Sequence, residues 1–288
     1  MMEGFITRVQ AGQFFVFSKG KIYSCRARGK FRIDDVTPYC GDEVIFDEKD
    51  LYLLEVKERK NCMVRPPIAN VEQLVILASL HHPEISLALI NRFMTMALVH
   101  GIKPILAISK LDLQKENDQM LSDIKAAYQN LDYRVIYFSN KSEECLAEVL
   151  ALFKNKRTVL TGQSGVGKSS LINHLIPGYK QATAEISEAL GRGKHVTRVS
   201  EYIPFSGGWV ADTPGFSLFE ISLTPNELAT CYPGFENYFA DCKFRNCLHN
   251  HEDDCAIKRA VKDGKISEVH YQAYLRLLDE LQNKKERY

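Results

Sequence analysis

The chain has 288 residues, of which 45% are hydrophobic and 25% are charged, a composition close to that of ordinary globular proteins. This length predicts about two domains, or three small ones. Lys plus Arg number 37 against 36 for Asp plus Glu, so the formal charge of +1 excludes a histone-like basic protein and an acidic tail protein alike. Any surface that binds nucleic acid must therefore be local.

No stretch of the sequence approaches the roughly 18 consecutive apolar residues that a membrane-spanning helix requires. Residues 1–20 carry Glu3, Arg8 and Lys19 where a signal peptide would have an apolar core. We therefore expect a cytoplasmic protein with no membrane partner. The sequence has no coiled-coil seam, so we expect a monomer.

Residues 1–60 combine short apolar runs with isolated glycines, which predicts short strands joined by turns and packed as a small β-barrel. One stretch of this unit is basic, contains Tyr23 and Phe31, and lacks acidic residues. It is either a solvated hairpin or, on an oligonucleotide-binding barrel, a surface that contacts phosphates and stacks bases. Its basic residues are Lys19, Lys21, Arg26, Arg28, Lys30 and Arg32.

Residues 61–70 predict a linker, because paired prolines such as Pro66 and Pro67 neither extend a helix nor donate to a central sheet. Buried strands then alternate with helices, which predicts a parallel sheet covered on both faces. After residue 219 the pattern is helical and polar. The predicted strands are residues 71–79, 104–108, 134–138 and 157–160, and the predicted helices are residues 85–100, 117–131, 142–153 and 267–285.

Residues 162–169 match the phosphate-binding pattern GxxxxGK[ST], between a predicted strand and a predicted helix at residues 170–176. Glycines let backbone N–H groups curl around phosphates, and the helix N-terminus favours negative charge. We assign Lys168 to the β- and γ-phosphates and the Ser169 hydroxyl to Mg²⁺. The predicted phosphate-binding residues are Gly162, Gln163, Ser164, Gly165, Val166, Gly167, Lys168, Ser169 and Ser170.

Asp212 follows a short apolar run at residues 209–211 and begins an Asp-x-x-Gly sequence. An aspartate at the end of a strand can hold the Mg²⁺ shell, and Gly215 can offer its backbone N–H to a γ-phosphate. The same four residues are also a common turn, so the assignment of Asp212 to Mg²⁺ rests on its position after the phosphate loop in the sequence.

Residues 109–112 resemble the [NT]-K-x-D motif with which GTPases read guanine. In that motif the Asp112 carboxylate accepts from the N1–H and the exocyclic amine of the base, and the Lys110 stem packs over the ring. Adenine lacks this donor pair, so the carboxylate sets the base preference. The predicted base-binding residues are Ser109, Lys110, Leu111 and Asp112, with Ser139 and Asn140 in the companion loop behind the base.

The order of these motifs is their most specific property, because the base-reading residues precede the phosphate loop and Asp212 comes last. The chain therefore resembles a circularly permuted GTPase. With the β unit before it and a cysteine cluster after it, the chain is similar over essentially its whole length to the ribosome small-subunit-dependent GTPase A family.

This resemblance implies three domains: an OB-fold β-barrel at residues 1–63, a circularly permuted α/β P-loop GTPase domain at residues 64–220, and a mainly helical zinc domain at residues 221–288. It implies binding of the 30S ribosomal subunit and its 16S rRNA late in subunit maturation. Hydrolysis of GTP to GDP and phosphate would be stimulated by the subunit and coupled to release.

The resemblance also implies a switch loop at residues 191–197, with Thr197 as the second protein ligand of Mg²⁺. Phe216 stands where Ras-like enzymes carry a glutamine that positions water, and an aromatic ring cannot do this by hydrogen bonding. His195 is our candidate for that role, and the alternative is a loop or RNA-contacting histidine. The predicted catalytic residues are His195, Lys168, Thr197, Asp212 and Gly215.

Ser109 departs from the family motif, in which Asn or Thr is usual. We expect the substitution to remove the amide that bridges base and phosphate loop, and so to weaken nucleotide affinity without changing base choice.

Three cysteines and two histidines crowd the segment 242–255. Three thiolates and one imidazole form a closed tetrahedral set suited to structural Zn²⁺, one ion per chain. His249 is the preferred fourth ligand on the family spacing, and His251 is the alternative. The predicted zinc ligands are Cys242, Cys247, His249 and Cys255.

Two other functions remain open at this stage. A P-loop kinase or ATPase of small-molecule metabolism would need an acceptor site and no base-reading Lys110 and Asp112. A passive RNA-binding module would have a vestigial nucleotide site, which the intact Lys168 and Ser169 argue against.

Overall fold

The computed structural model describes residues 1–29, 31, 36–64, 66–84, 86–139, 141–176, 201–212 and 223–285. The chain divides into two compact units, each formed by three segments. The first comprises Met1–Leu74, Leu150–Thr161 and Lys168–Phe219, and the second comprises Val75–Val149, Gly162–Gly167 and Glu220–Tyr288. The division at residues 63/64 and 220/221 stays a prediction.

A closed five-stranded barrel lies in the first unit. Neighbouring strands follow the order β1-β2-β3-β5-β4, and β4 pairs back with β1. The pairing of β3 with β5 is parallel, and the other pairings are antiparallel. The predicted barrel is confirmed, with an oligonucleotide-binding topology. Its strands are β1 (Met2–Gln10), β2 (Gln13–Ser18), β3 (Lys21–Ala27), β4 (Glu43–Phe46) and β5 (Tyr52–Val56).

The barrel interior is filled by apolar side chains, which alternate along β2 and β4 with outward-facing ones. This period of two follows from strand geometry and confirms one buried face per strand. The fully buried members of this core are Ile6, Val16, Cys25, Val44, Phe46 and Leu53.

Strand β1 also pairs outside the barrel, at Arg8 opposite Glu201 on β12 (Glu201–Phe205). Strand β12 pairs antiparallel with β13 (Gly208–Asp212), which in turn pairs parallel with β11 (Arg157–Thr161). The rings of Phe5 and Phe17 each lie 4.8 Å, centroid to centroid, from the ring of Trp209. Backbone pairing and edge-to-face aromatic contacts therefore join the barrel to β13.

The segment predicted as a linker is instead an ordered hairpin of β6 (Cys62–Val64) and β7 (Pro67–Ala69). Pro67 is tolerated because it opens its strand beside the turn of a two-stranded sheet. The hairpin is anchored on the barrel, since the backbone N–H of Ala69 donates to the Cys40 carbonyl at 2.8 Å. The linker prediction is wrong because it rested on the two prolines alone, and the contact between Ala69 and Cys40 is not visible in the local sequence.

The second unit contains the neighbouring strands β8, β9 (Pro104–Ser109) and β10 (Val135–Tyr137). Strand β8 (Gln73–Ser79) starts in the first unit, and β9 pairs parallel with β10. Every residue of β8 and β9 is buried, as their continuous apolar sequences predict. The intervening helices are α1 (Leu87–Val99), α2 (Gln119–Tyr128) and α3 (Glu143–Leu152).

Helix α4 (Lys168–Leu175) follows β11, and the C-terminal segment adds α5 (Pro225–Cys231), α6 (Ala256–Lys262) and α7 (Glu268–Lys285). A buried polar network ties α1 to this segment. The side-chain Oδ1 of Asn91 accepts from the Tyr128 hydroxyl at 2.6 Å, and its Nδ2 donates to the Tyr232 hydroxyl at 2.5 Å. Each group of Asn91 is thereby paired, which such a buried site requires. Within the described ranges, no helix is both long and apolar enough to cross a membrane.

Gly41 should tolerate no side chain. It has a φ of +92°, and a Cβ there would overlap the Ala69 carbonyl oxygen, whereas Gly12 has a φ of +77° and open space around it. We expect Gly12→Ala to lower the free energy of unfolding by about 1 kcal/mol and Gly41→Ala by about 3 kcal/mol or more. Urea unfolding of both variants measures the difference, and equal losses would contradict the close approach.

Candidate functional site

The segment between the end of β11 and the start of α4 is shaped by glycine. Gly162, Gly165 and Gly167 have φ values of 145°, 82° and 102°, in the region where side chains are strained. A Cβ on Gly162 would also overlap the carbonyl oxygen of Leu77 on β8. The loop therefore lies directly against β8, and the predicted strand, loop and helix succession is confirmed.

Within the first unit, the parallel pairing of β11 with β13 places Leu160 opposite Asp212. Both strands end at the same edge of the sheet, because parallel strands share their carboxyl ends. Helix α4 begins at Lys168, shortly after the end of β11. Its N-terminus therefore follows the strand whose end lies beside the end of β13. This arrangement suits an anion and the cation that accompanies it.

The predicted base-reading loop follows β9 and is fastened to the phosphate loop. The Ser109 hydroxyl lies 2.9 Å from the carbonyl oxygen of Val166 and 3.1 Å from that of Ala78. Lys110 has a left-handed φ of 60°, and its ammonium donates to the carbonyl of Gly165 at 3.1 Å and to that of His82. The two loops are thus joined by side chain to backbone hydrogen bonds.

Ser109 therefore keeps a connection that the sequence suggested it had lost. A hydroxyl has a single hydrogen, so it donates to Val166 or to Ala78 at one time. Ser109 has no side-chain amide, yet its hydroxyl makes the connection to the phosphate loop through the hydrogen bond to the Val166 carbonyl.

Asp112 lies in a short 3-10 turn that spans Leu111–Leu113. One carboxylate oxygen accepts from the Ser139 hydroxyl at 2.6 Å, and the other lies 2.7 Å from the Lys141 ammonium. These two partners hold the pKa of Asp112 below its usual value, with Lys141 the larger influence. The carboxylate is therefore ionised and acceptor-only at neutral pH.

Lys141 and His82 contact this site, although neither was predicted as a site residue. Lys141 could have been suspected from its place beside Ser139 in the companion loop. His82 had no such signal, because it contributes a backbone carbonyl that any residue possesses.

The structure brings Cys242, Cys247, His249 and Cys255 together, with all four ligand atoms within 4.8 Å of one another. His249 Nδ1 lies 3.6 Å from Cys242 Sγ and 3.4 Å from Cys255 Sγ, and these two sulfurs are 4.0 Å apart. Tetrahedral zinc with bonds of about 2.0–2.3 Å requires ligand atoms roughly 3.5–3.8 Å apart. The cluster fits a tetrahedral metal ion.

The orientation of His249 supports ligation through Nδ1. Its Nε2 lies 3.2 Å from the Ala229 carbonyl oxygen, the kind of partner that fixes a ligating imidazole. Burial lowers the pKa of His249, which keeps the ring neutral, and burial raises the pKa of Cys247 to about 12. A nearby cation would reverse the second effect, since a bound metal deprotonates its thiols. His251, the alternative ligand, lies 3.1 Å from the Asn250 amide and outside this group.

Some predicted site residues lie outside the described residues, and their roles stay predictions. Asp212 is described only in its backbone. The residues outside are Asn140, His195, Thr197 and Gly215.

This order of strands, with base-reading residues before the phosphate loop and a barrel ahead of both, defines a circularly permuted P-loop GTPase fold. The family model described as RsgA GTPase matches residues 56–222, and that of the RsgA N-terminal domain matches residues 3–51. The chain belongs to the RsgA GTPase family.

The similarity to known proteins covers the full length of the chain. Small ribosomal subunit biogenesis GTPase RsgA of Shouchella clausii (strain KSM-K16) is 45% identical and that of Bacillus subtilis (strain 168) 42%, each covering 100% of both chains. The crystal structure of YloQ, a circularly permuted GTPase, is 38% identical with a TM-score of 0.80, covering 100% of this chain and 97% of that one. YjeQ from Thermotoga maritima is 28% identical with a TM-score of 0.82, covering 98% of each.

The two histidines of the cysteine cluster should differ in metal binding. We expect His249→Ala to lower bound zinc from about one ion per chain toward zero and to reduce the melting temperature, because the closed ligand set is broken. His251→Ala should retain the metal. Elemental analysis of the purified variants measures both, and the reverse result would exchange the two assignments.

Proposed function

We propose that this protein hydrolyses GTP to GDP and phosphate, that it does so during maturation of the small ribosomal subunit, and that the 30S subunit stimulates the reaction. The observation that carries the proposal is full-length similarity to proteins named for this activity, joined to a guanine-type loop fastened to a phosphate loop. Release from the subunit follows hydrolysis in this scheme.

Guanine recognition is assigned to the loop after β9. The ionised Asp112 accepts from the N1–H and the exocyclic amine of the base, and the stem of Lys110 packs over the ring. Ser139 orients the carboxylate through their 2.6 Å hydrogen bond. Leu111 and Asn140 complete the base-binding loops. ATP binds poorly in this scheme, because adenine leaves the carboxylate without its donors.

Phosphate binding is assigned to the backbone N–H groups of residues 162–170 and to the ammonium of Lys168. Mg²⁺, when bound, neutralises charge on the β- and γ-phosphates. Ser169, Thr197 and Asp212 are the residues assigned to hold it. Gly215 donates its backbone N–H to the γ-phosphate, and such donors stabilise the charge that develops during phosphoryl transfer.

The attacking water is assigned to His195, because Phe216 has no hydrogen-bonding group with which to orient it. An imidazole within hydrogen-bond reach can position the water and accept its proton.

The cysteine cluster is assigned one structural Zn²⁺. Three thiolates and the His249 imidazole close the coordination shell, so no position remains for a substrate. Its role is to hold together the loop of residues 242–255 between α5 and α6, since all four ligands belong to that loop.

Contact with 16S rRNA is assigned in part to the barrel. Lys21 and Arg26 are exposed on β3, and Arg28 is exposed directly after it, with its guanidinium 5.7 Å from the Tyr52 ring centroid. Guanidinium groups and aromatic faces on a barrel bind phosphates and stack bases. Lys243 and Arg245, exposed beside the cysteine cluster, are further basic residues that can contact phosphates.

The remaining assignments follow from this function. The division into residues 1–63, 64–220 and 221–288 separates RNA binding, GTP hydrolysis and zinc binding. The protein acts as a cytoplasmic monomer. A kinase or ATPase of small-molecule metabolism is disfavoured by the Lys110 and Asp112 pair, and a passive RNA-binding module by the glycine geometry of an intact phosphate loop.

Hydrolysis should depend on both the nucleotide and the subunit. We expect purified 30S subunits to accelerate release of phosphate from GTP by at least about tenfold and to leave ATP unaffected. Lys168→Ala should abolish the stimulated rate, because it removes the positive charge that stabilises the transferred phosphate. Equal rates with and without subunits, or with GTP and ATP, would contradict the proposal.

Asp112→Asn should change which base is preferred. The amide can donate to the second carbonyl of xanthine, whereas it no longer offers two acceptors to guanine. We expect affinity for GDP to fall by about 100-fold and affinity for xanthosine diphosphate to rise. Competition binding with both nucleotides measures the change, with Asp123→Asn on α2 as the matched control. Unchanged preference would remove Asp112 from base recognition.

A further inference from the structure

Residues 80–84 connect β8 to the start of α1 and have no role in the function proposed above. We call this segment the histidine loop, after His81 and His82. It lies between the base-reading loop and the phosphate loop and contacts both. Its backbone N–H at Leu80 donates to the carbonyl of Ser109 at 3.0 Å.

The ammonium of Lys110 is held by two backbone carbonyls from different loops. One belongs to Gly165 of the phosphate loop, at 3.1 Å, and the other to His82 of the histidine loop. Pro83 packs on the phosphate loop, since its Cδ lies 3.5 Å from the position of a Cβ on Gly165. The histidine loop therefore fixes one of the two acceptors that orient Lys110.

A buried hydrogen bond holds the histidine loop in place. His81 Nε2 lies 2.7 Å from Asp118 Oδ2, and the two side chains are only 11% and 4% exposed. Asp118 also caps α2, because its Oδ1 accepts from the backbone N–H of Leu121 at 3.2 Å. The loop is closed from its other end by the Ser79 hydroxyl, which donates to the Pro83 carbonyl at 2.8 Å.

The backbone conformation of His82 makes the position of its carbonyl depend on the hydrogen bond between His81 and Asp118. His82 has a φ of +51°, in the left-handed region that non-glycine residues adopt only when their surroundings impose it. The hydrogen bond of its neighbour His81 to Asp118 is one of the contacts that constrain it. Loss of this hydrogen bond would free the loop to relax, and the carbonyl would turn away from Lys110.

We propose that His81 and Asp118 are positioning residues for guanine-nucleotide binding, which act by fixing the His82 carbonyl and through it the side chain of Lys110. The inference rests on the function proposed above and deepens it. The pair does not contact the nucleotide. It determines whether the Lys110 stem is already in place when the base arrives, which reduces the entropic cost of binding.

The inference separates two contributions to base binding. The Lys110 stem packs on a ring face that guanine and hypoxanthine share, whereas Asp112 also reads the amine that hypoxanthine lacks. Weakening the histidine loop should therefore reduce affinity for GDP and for inosine diphosphate by the same factor. Loss of a base-reading contact would instead change the ratio of the two affinities.

Three substitutions in the full-length protein test the pair. His81→Leu removes the donor, His81→Gln keeps an N–H at a similar reach, and Asp118→Ser keeps a helix cap but is too short to meet His81. Dissociation constants of fluorescent GDP and inosine diphosphate are measured at one Mg²⁺ concentration. We expect His81→Leu and Asp118→Ser to weaken both by about tenfold, and His81→Gln to recover most of the loss.

A double-mutant cycle with Lys110→Met distinguishes positioning from a general loss of structure. If the pair acts through Lys110, then adding Asp118→Ser to Lys110→Met causes no further loss of nucleotide affinity. Additive losses would overturn the inference, as would variants that melt at lower temperature yet bind nucleotide like the wild type. Failure of the wild-type protein to bind GDP would instead overturn the proposed function, and this inference with it.

Discussion

The close contact between the phosphate loop and β8 is the constraint on which the nucleotide site depends. A loop that presents its N–H groups to phosphate must turn with positive φ, and at Gly162 it must also pass against the Leu77 carbonyl without a side chain. Ser109 and Lys110 then reach this loop from the end of β9. Chain order is irrelevant to these contacts, so permutation does not prevent the base-reading loop from meeting the phosphate loop.

A second constraint is that β1 belongs to the barrel and also pairs with β12, which connects the barrel to the strand that ends at Asp212. This strand completes the barrel through β2 and β4 and still pairs with β12 at Arg8. Arg8 also lies 3.9 Å from the Phe15 ring centroid and 3.3 Å from Glu201. A barrel attached by both backbone pairing and side-chain contacts has less freedom than one attached by a linker alone.

Much of this organisation could be predicted from the sequence, because strands buried on both faces and glycine-rich loops have strong local signatures. The metal-binding cluster could also be predicted, since the spacing of its cysteines and histidine matches a tetrahedral ligand set. The hairpin at residues 62–69 was missed because the contact of Ala69 with Cys40 is nonlocal. The pairing of His81 with Asp118 was missed for the same reason, as the residues are 37 positions apart. Tertiary proximity, not residue type, decides such features.

Trp209 is the single tryptophan of the chain, and its half-buried ring lies against two phenylalanines of the barrel. It is also three positions before Asp212 on the same strand. Indole fluorescence depends on the polarity and packing around the ring, so emission excited at wavelengths that tyrosine does not absorb originates at one known position. The sequence thus contains an intrinsic optical probe of the junction between barrel and β13, without any added label.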